Sequence, residues 1–170
     1  MSECLFCSLI EKKANLLYED EQTFAMLSPQ PFAPGHVMVL PKKHAPILDV
    51  VPDLAVGNLF KVANKVGVAI FEALGSHGTN ILVQNGAAAG QKHNHAAIHV
   101  IPRMENDGLQ IGWSPKPAGE EDLSTIELRL KEETKGVGIF QKEKAKPIEL
   151  EKPKEAAPED RRIKHLRRIP

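Results

Sequence analysis

Along residues 1–140 the spacing of apolar positions changes several times, and each change marks an element. The runs 23–27 (TFAML) and 37–40 (VMVL) read as strands. Between them SPQPFAPGH carries three prolines and one glycine, which exclude regular structure and predict a hairpin-like connection. From Pro52 to Leu74 the residues Val56, Leu59, Phe60, Ala63, Val66, Ile70, Phe71 and Leu74 recur at three and four, with Pro52 near the start and Gly75 past the end. That spacing predicts one long helix. The runs 80–85 (NILVQN) and 95–102 (HAAIHVIP) are strand-like and bracket GAAAGQ, whose small residues let backbone approach a ligand closely. Residues 122–133 predict a second helix, capped by Asp122 or Ser124.

The stretch GQKHNHAAIHVIPR (90–103) concentrates the candidate chemistry. On an extended strand side chains alternate between faces, so His93, His95 and His99 are expected on one side, with Ala97 filling the gap between the last two. Imidazoles in a row can bind a metal, or serve as nucleophile and acid/base toward phosphorus or carbonyl centres; the alternative is a set of satisfied, half-buried histidines. The preceding loop favours phosphate, because its backbone N–H groups, with the Gln91 amide, can hold phosphate oxygens. Cys4 and Cys7, with two residues between them, fit a redox pair, plain packing or half of a metal site. With His44 and His95 they would complete a Cys2His2 shell suited to structural zinc.

With 170 residues and 42% hydrophobic content the chain can bury one core. We expect a domain over 1–140, a Lys/Glu/Pro-rich linker over 141–160 and a basic tail over 161–170. The zero net charge hides an asymmetry: 141–170 hold ten Lys/Arg against six Asp/Glu, and 1–140 hold twelve against sixteen. Ile163, Leu166 and Ile169 recur among the basic residues of the tail, a pattern that can dock on a protein or a nucleic acid. The start MSECLFCSLIEKK lacks the pattern of a secretory leader, and no uninterrupted apolar run reaches the ~20 residues of a membrane span, so a cytoplasmic location without membrane association is expected. Trp113, the only tryptophan, is expected to cover the core or serve an interface.

PFAPGHVMVLPKKH (31–44) and NGAAAGQ with His95, His99 and VIPR103 resemble the paired motifs of the histidine triad (HIT) family, with the first run most similar to the fragile histidine triad branch. The resemblance covers most of residues 3–115. It implies an α+β fold, an antiparallel sheet with a long helix that dimerises into a continuous sheet. It also implies hydrolysis or transfer of a nucleoside monophosphate, cleaving at the α-phosphate of dinucleoside polyphosphates or nucleotide conjugates through a nucleotidyl-histidine. Carried onto this chain, His95 matches the first triad histidine, Ala97 the nucleophile and His99 the last. Ser28 falls where the ribose is held, Phe6, Leu9 and Leu27 where the base pocket is built, and Asn85, Gly90 and Gln91 near the phosphates. A zinc site of Cys4, Cys7, His44 and His95 is likewise implied.

An alanine at the nucleophile position implies an inactive or nearly inactive chain that still binds nucleotide, because the covalent bond has no donor. A natural member turned binder and an enzyme whose nucleophile was replaced both fit; one lesion among intact neighbours (Gly90, Gln91, His95, His99, Arg103) favours the second. His93 is expected to lie too far along the strand face to substitute. The alternative from another class is a non-catalytic nucleotide sensor or adaptor whose basic tail docks a partner.

Overall fold

The computed structural model describes residues 4–137. The linker expected over 141–160 and the basic tail over 161–170 lie outside the described residues. The fold is α+β: five antiparallel strands, β1 (Leu16–Glu19), β2 (Thr23–Leu27), β3 (Val37–Pro41), β4 (Gly78–Val83) and β5 (Ile98–Arg103), and three helices, α1 (Leu5–Glu11), α2 (Asp53–Leu74) and α3 (Glu120–Glu133). Strand order in the sheet is β1-β2-β3-β5-β4. The expected hairpin forms between β2 and β3, in register from Thr23 opposite Pro41 to Leu27 opposite Val37.

Alternation along these strands sorts the core into two faces. Ala25, Val37, Val39, Ile98 and Val100 pack with Leu59, Val62, Ala63 and Ile70 of α2. On the opposite face Met26 and Met38 join Phe24, Leu40 and Phe6, with Leu9, Ile10 and Ala97 packed against them. Helix α2 begins just after Pro52 and ends at Gly75, whose left-handed backbone (φ 62°) lets its N–H close on the Phe71 carbonyl at 3.1 Å. Its 22 residues are long and apolar enough to cross a bilayer by length and composition. A stripe along it is nevertheless spent on the sheet, while Phe60, Phe71 and Leu74 from the expected apolar set face outward.

Two elements escaped the apolar pattern. Helix α1 is one short stretch whose only fully buried side chain is Phe6, and β1 is an edge strand with three of four residues exposed. Helix α3 starts at Glu120, two residues ahead of expectation, so Ser124 sits inside it and donates to the Glu121 carbonyl rather than capping. None of its side chains is buried. A compact sheet unit ends at Gly119, and a second unit begins at Glu120.

Burial separates two substitutions in α2. Leu59 is 1% exposed and Phe71 is 57% exposed. Leu59→Ala should cost about 2–5 kcal/mol by chemical denaturation, and Phe71→Ala in the monomeric protein should cost under about 1 kcal/mol. Equal losses would mean that the buried stripe is misassigned.

Candidate functional site

The loop joining β4 to β5 is held by one amide. Gln91 Oε1 accepts the Gly86 N–H at 2.7 Å, while its Nε2 donates to the Pro46 carbonyl at 2.6 Å and the His93 carbonyl at 2.8 Å. Every polar atom of that amide is thus spent on backbone, so Gln91 braces the loop and is not a free phosphate donor as expected. The N–H groups of Ala89 and Gln91 close on the Gly86 carbonyl, and that of Gly90 on Ala87. Gly90 has φ 86°, and a Cβ there would stand 2.6 Å from Gln84 Nε2. Gln84 itself donates to the Ala89 carbonyl at 3.0 Å and lines the pocket described below. Asn85 faces away: its Nδ2 donates to Asp49 at 2.8 Å and its Oδ1 accepts the Leu48 N–H at 3.1 Å. The polar residue on the pocket side is the one before it.

This loop also breaks the expected row of imidazoles. Strand β5 begins only at Ile98, because residues 91–97 are diverted by Gln91 and by the Ala96 N–H bonding to the Ala45 carbonyl at 2.6 Å. His93 and His95 therefore do not share a strand face with His99.

His99 stands opposite Met38 on β3 and Leu82 on β4. Its Nδ1 lies 3.0 Å from Nε2 of His36, a buried residue that the sequence reading did not single out. The Phe32 N–H donates to His36 Nδ1 at 3.2 Å. That bond makes Nδ1 an acceptor, so a neutral His36 carries its proton on Nε2 and donates it to His99 Nδ1. His99 is then left with its own proton on Nε2. Burial first, and the His99 ring second, push His36 down to about 4, and burial also lowers His99. The only sequence signal for His36 was its place at the end of PFAPGH, two residues before Met38 on the strand.

A second cluster lies beside this pair. Cys4 at the start of α1, Cys7 within it, His44 and His95 place one ligand atom each within 4.8 Å of the others. Cys4 Sγ is 3.4 Å and Cys7 Sγ 3.6 Å from His95 Nδ1, and Cys7 Sγ is 3.4 Å from His44 Nδ1. Zn–S of ~2.3 Å and Zn–N of ~2.0 Å at a tetrahedral angle require S···N near ~3.5 Å. His95 Nε2 donates to the Pro41 carbonyl at 3.0 Å, which leaves the Nδ1 lone pair facing the thiols, the outer-shell bond a ligating histidine needs. Burial, and then Cys4 beside it, raise the Cys7 thiol, a cost that a bound cation would remove. These four residues can hold a metal ion.

Both clusters border a cavity of about 660 Å³, within the range of small-molecule sites. Of the residues singled out in the sequence, Phe6, Ser28, Gly90, Gln91, His95, Ala97 and His99 line it, joined by His36, Phe32 and Gln84. The expected Leu9 and Leu27 do not. Leu9 packs in the apolar cluster under α1, and Leu27 lines a separate groove against α2. Ala97 is half-buried and packs against that same apolar cluster. Arg103 is committed to Asp107 at 2.6 and 2.9 Å and to Asn80 at 2.6 Å, holding the following turn. Trp113 is 84% exposed and covers no core.

A five-stranded antiparallel sheet with a long helix on one face and a histidine-lined pocket on the other defines a histidine triad architecture. The chain belongs to the HIT domain family, whose model matches residues 10–106. It is 43% identical over 107 residues to an uncharacterized HIT-like protein of Methanocaldococcus jannaschii, covering 62% of this chain and 82% of that protein. It is 40% identical over 110 residues to an adenylylsulfatase of Arabidopsis thaliana, covering 64% of this chain and 56% of the relative. With the adenosine 5′-monophosphoramidase of Saccharomyces cerevisiae it shares 33% over 126 residues, 72% of this chain and 75% of that one. Among solved structures, a HIT family protein of Bacillus anthracis aligns with a TM-score of 0.71 at 31% identity over 78% of this chain and 97% of that one. A Zn-bound histidine triad family protein of Mycobacterium smegmatis gives 0.59 at 31% identity over 77% and 97%.

The depressed His36 fixes a pH dependence. Unfolded, this imidazole titrates near its ordinary 6.5 and takes up a proton more readily than it does folded at about 4. Its contribution is therefore complete above pH 6.5 and is lost as pH falls toward 4, with a slope approaching about 1.4 kcal/mol per pH unit. Denaturation curves for the wild type and His36→Gln between pH 7 and 4 should diverge in slope by up to one proton. Parallel curves would show that His36 does not titrate with folding.

Proposed function

We propose that this chain binds an adenine nucleotide with its α-phosphate beside His99 and Ala97, and that in the absence of an imidazole at 97 it turns the nucleotide over very slowly. The observation that carries the reading is the hydrogen-bond relay from Phe32 through His36 to His99. It leaves a fixed N–H donor, His99 Nε2–H, on a pocket wall next to the position where the family places its nucleophile. A family nucleophile at 97 would attack the α-phosphorus and expel the leaving group, after which water would cleave the nucleotidyl-histidine. Ala97 retains the pocket and lacks that attack.

Phe6 and Phe32 supply apolar ring surface for a base or ribose, and Ser28 is the hydroxyl on the same wall. The relatives quoted above are named for adenylyl sulfate and phosphoramidate chemistry. That favours a nucleotide conjugate over the dinucleoside polyphosphates implied by the fragile histidine triad resemblance. We assign the metal site to zinc, held by Cys4, Cys7, His44 and His95, where it would supply a structural tie between α1 and the sheet. We also read β4, an edge strand, as the line along which two copies would pair. The second reading, a sensor or adaptor, is motivated by the charge excess of residues 141–170.

Restoring the nucleophile separates the two readings. Ala97→His should raise hydrolysis of adenosine 5′-phosphoramidate or adenosine 5′-phosphosulfate by two or more orders of magnitude, since losing a covalent nucleophile has cost about 10⁶ where measured. Nucleotide held tightly with no gain in turnover would favour the sensor.

The metal assignment has its own test. Protein purified without chelator should contain one zinc per chain, and stripping it should lower the melting temperature because the metal binds the native state. It should also weaken AMP binding, because Leu5 and Phe6, between the two cysteines, line the pocket. Well under half an equivalent of zinc would remove the assignment.

A further inference from the structure

One histidine of the 90–103 stretch has no part in the site so far. Because residues 91–97 are looped rather than extended, His93 is not carried away from the site along a strand face. His93 lines the same cavity as Ala97 and His99, half-buried, with its ring edge-on to Phe6 at a centroid separation of 4.9 Å. Its backbone is pinned, since its carbonyl accepts both Gln91 Nε2 and the His95 N–H at 2.8 Å. The ring nitrogens have no hydrogen-bond partner among the described residues. Lys92, its neighbour, also lines the cavity and is exposed, and its ammonium makes no ion pair among the described residues. The backbone N–H groups of Lys92 and His93 are likewise unpaired among the described residues, whereas those of Ala89, Gly90 and Gln91 are consumed inside the loop.

The cavity has no lining Asp or Glu among the described residues. Its other polar groups are largely spoken for: Gln91 on backbone, His36 on His99 and Phe32, His95 on Pro41 and the metal cluster. The uncommitted side-chain donors are therefore His99 Nε2–H on β5, the Ser28 hydroxyl and the Gln30 amide after β2, and the Lys92–His93 corner on the loop, of which only the last carries a cation.

We infer that Lys92 and His93 form a second anion subsite beyond the α-phosphate, so that the pocket selects a nucleotide whose α-phosphate is joined to another tetrahedral anion, a phosphate or a sulfate, over one joined to a neutral amine. An ammonium, an imidazole and two free backbone amides suit a tetrahedral oxyanion, which accepts several charge-assisted hydrogen bonds at once. A neutral amine on the α-phosphate offers that corner no charge to hold. The inference rests on the nucleotide reading above and specifies the substrate class of the same site.

The test is titration calorimetry on the full chain with AMP, ADP, adenosine 5′-phosphosulfate and adenosine 5′-phosphoramidate. ADP or the phosphosulfate should bind at least tenfold more tightly than AMP, and the phosphoramidate should not. The arm with the larger gain identifies phosphate or sulfate as the second anion. In Lys92→Ala and in His93→Asn the ratio of diphosphate or phosphosulfate affinity to AMP affinity should fall toward one. Because His93 is close to the metal cluster, zinc content is measured on each variant, and the ratio, in place of either affinity alone, is the readout. AMP binding with no preference for a second anion overturns the subsite, as does a preference that persists in both variants. Binding of neither AMP nor ADP overturns the nucleotide reading and the subsite with it.

Discussion

The site depends on the central position of β5. Flanked by β3 and β4, this strand has both edges paired, and a shift of one residue in its register would exchange every side chain between its two faces. Ile98 and Val100, fully buried against α2, prevent that exchange. With those two turned toward the helix, His99 is obliged to face the other way, opposite Met38 and Leu82. The placement of one cavity-lining imidazole is thus a by-product of burying two aliphatic neighbours.

Where β5 ends is as consequential as how it is registered. Had the strand continued back to residue 95, His95 would have stood in line with His99 on one strand face. The chain instead leaves the sheet at Ile98, and the Gln91 amide gathers Gly86, Pro46 and His93 around itself. The resulting turn delivers His95 to the thiols of α1. Two chemically distinct clusters arise from histidines four residues apart because the Gln91 amide and the Ala96 N–H bond to the Ala45 carbonyl hold the backbone ahead of Ile98 out of the strand.

The parts of this arrangement that were legible in the sequence are those controlled by periodicity over many residues. The long helix, the β2–β3 hairpin and the presence of strands on either side of the Gly-rich loop follow from repeated burial, and repetition averages out local exceptions. The Cys2His2 set was legible because a Cys-x-x-Cys pair and two histidines supply the donor types of a tetrahedral metal site. Single contacts were not. Asn85 and Gln84 are adjacent polar residues, and the choice of which meets the cavity is made by Asp49, far away in the chain. Gln91 looked like a phosphate donor because its type allows it, and only the three-dimensional environment shows that its valence is exhausted. His36 was hidden by the prolines around it, which marked the segment as a connection when its last residue is buried beneath the pocket. Helix α3 carries leucines and isoleucine at helical spacing, yet those side chains remain exposed, so its periodicity does not report burial.

His95 belongs at once to the pocket wall and to the group with Cys4, Cys7 and His44 that can hold a metal ion, with its second nitrogen tied to Pro41. An assay that scores substitutions by loss of function would rank it beside His99, although the cause would be collapse of an architectural joint rather than loss of a reacting group. The overlap also couples residues far apart in sequence. A change at Cys4, Cys7 or His44 removes support from a ring whose other edge borders the ligand cavity, so variation at these four positions is expected to be correlated, and deep mutational maps would show epistasis between the extreme N-terminus and the loop before β5.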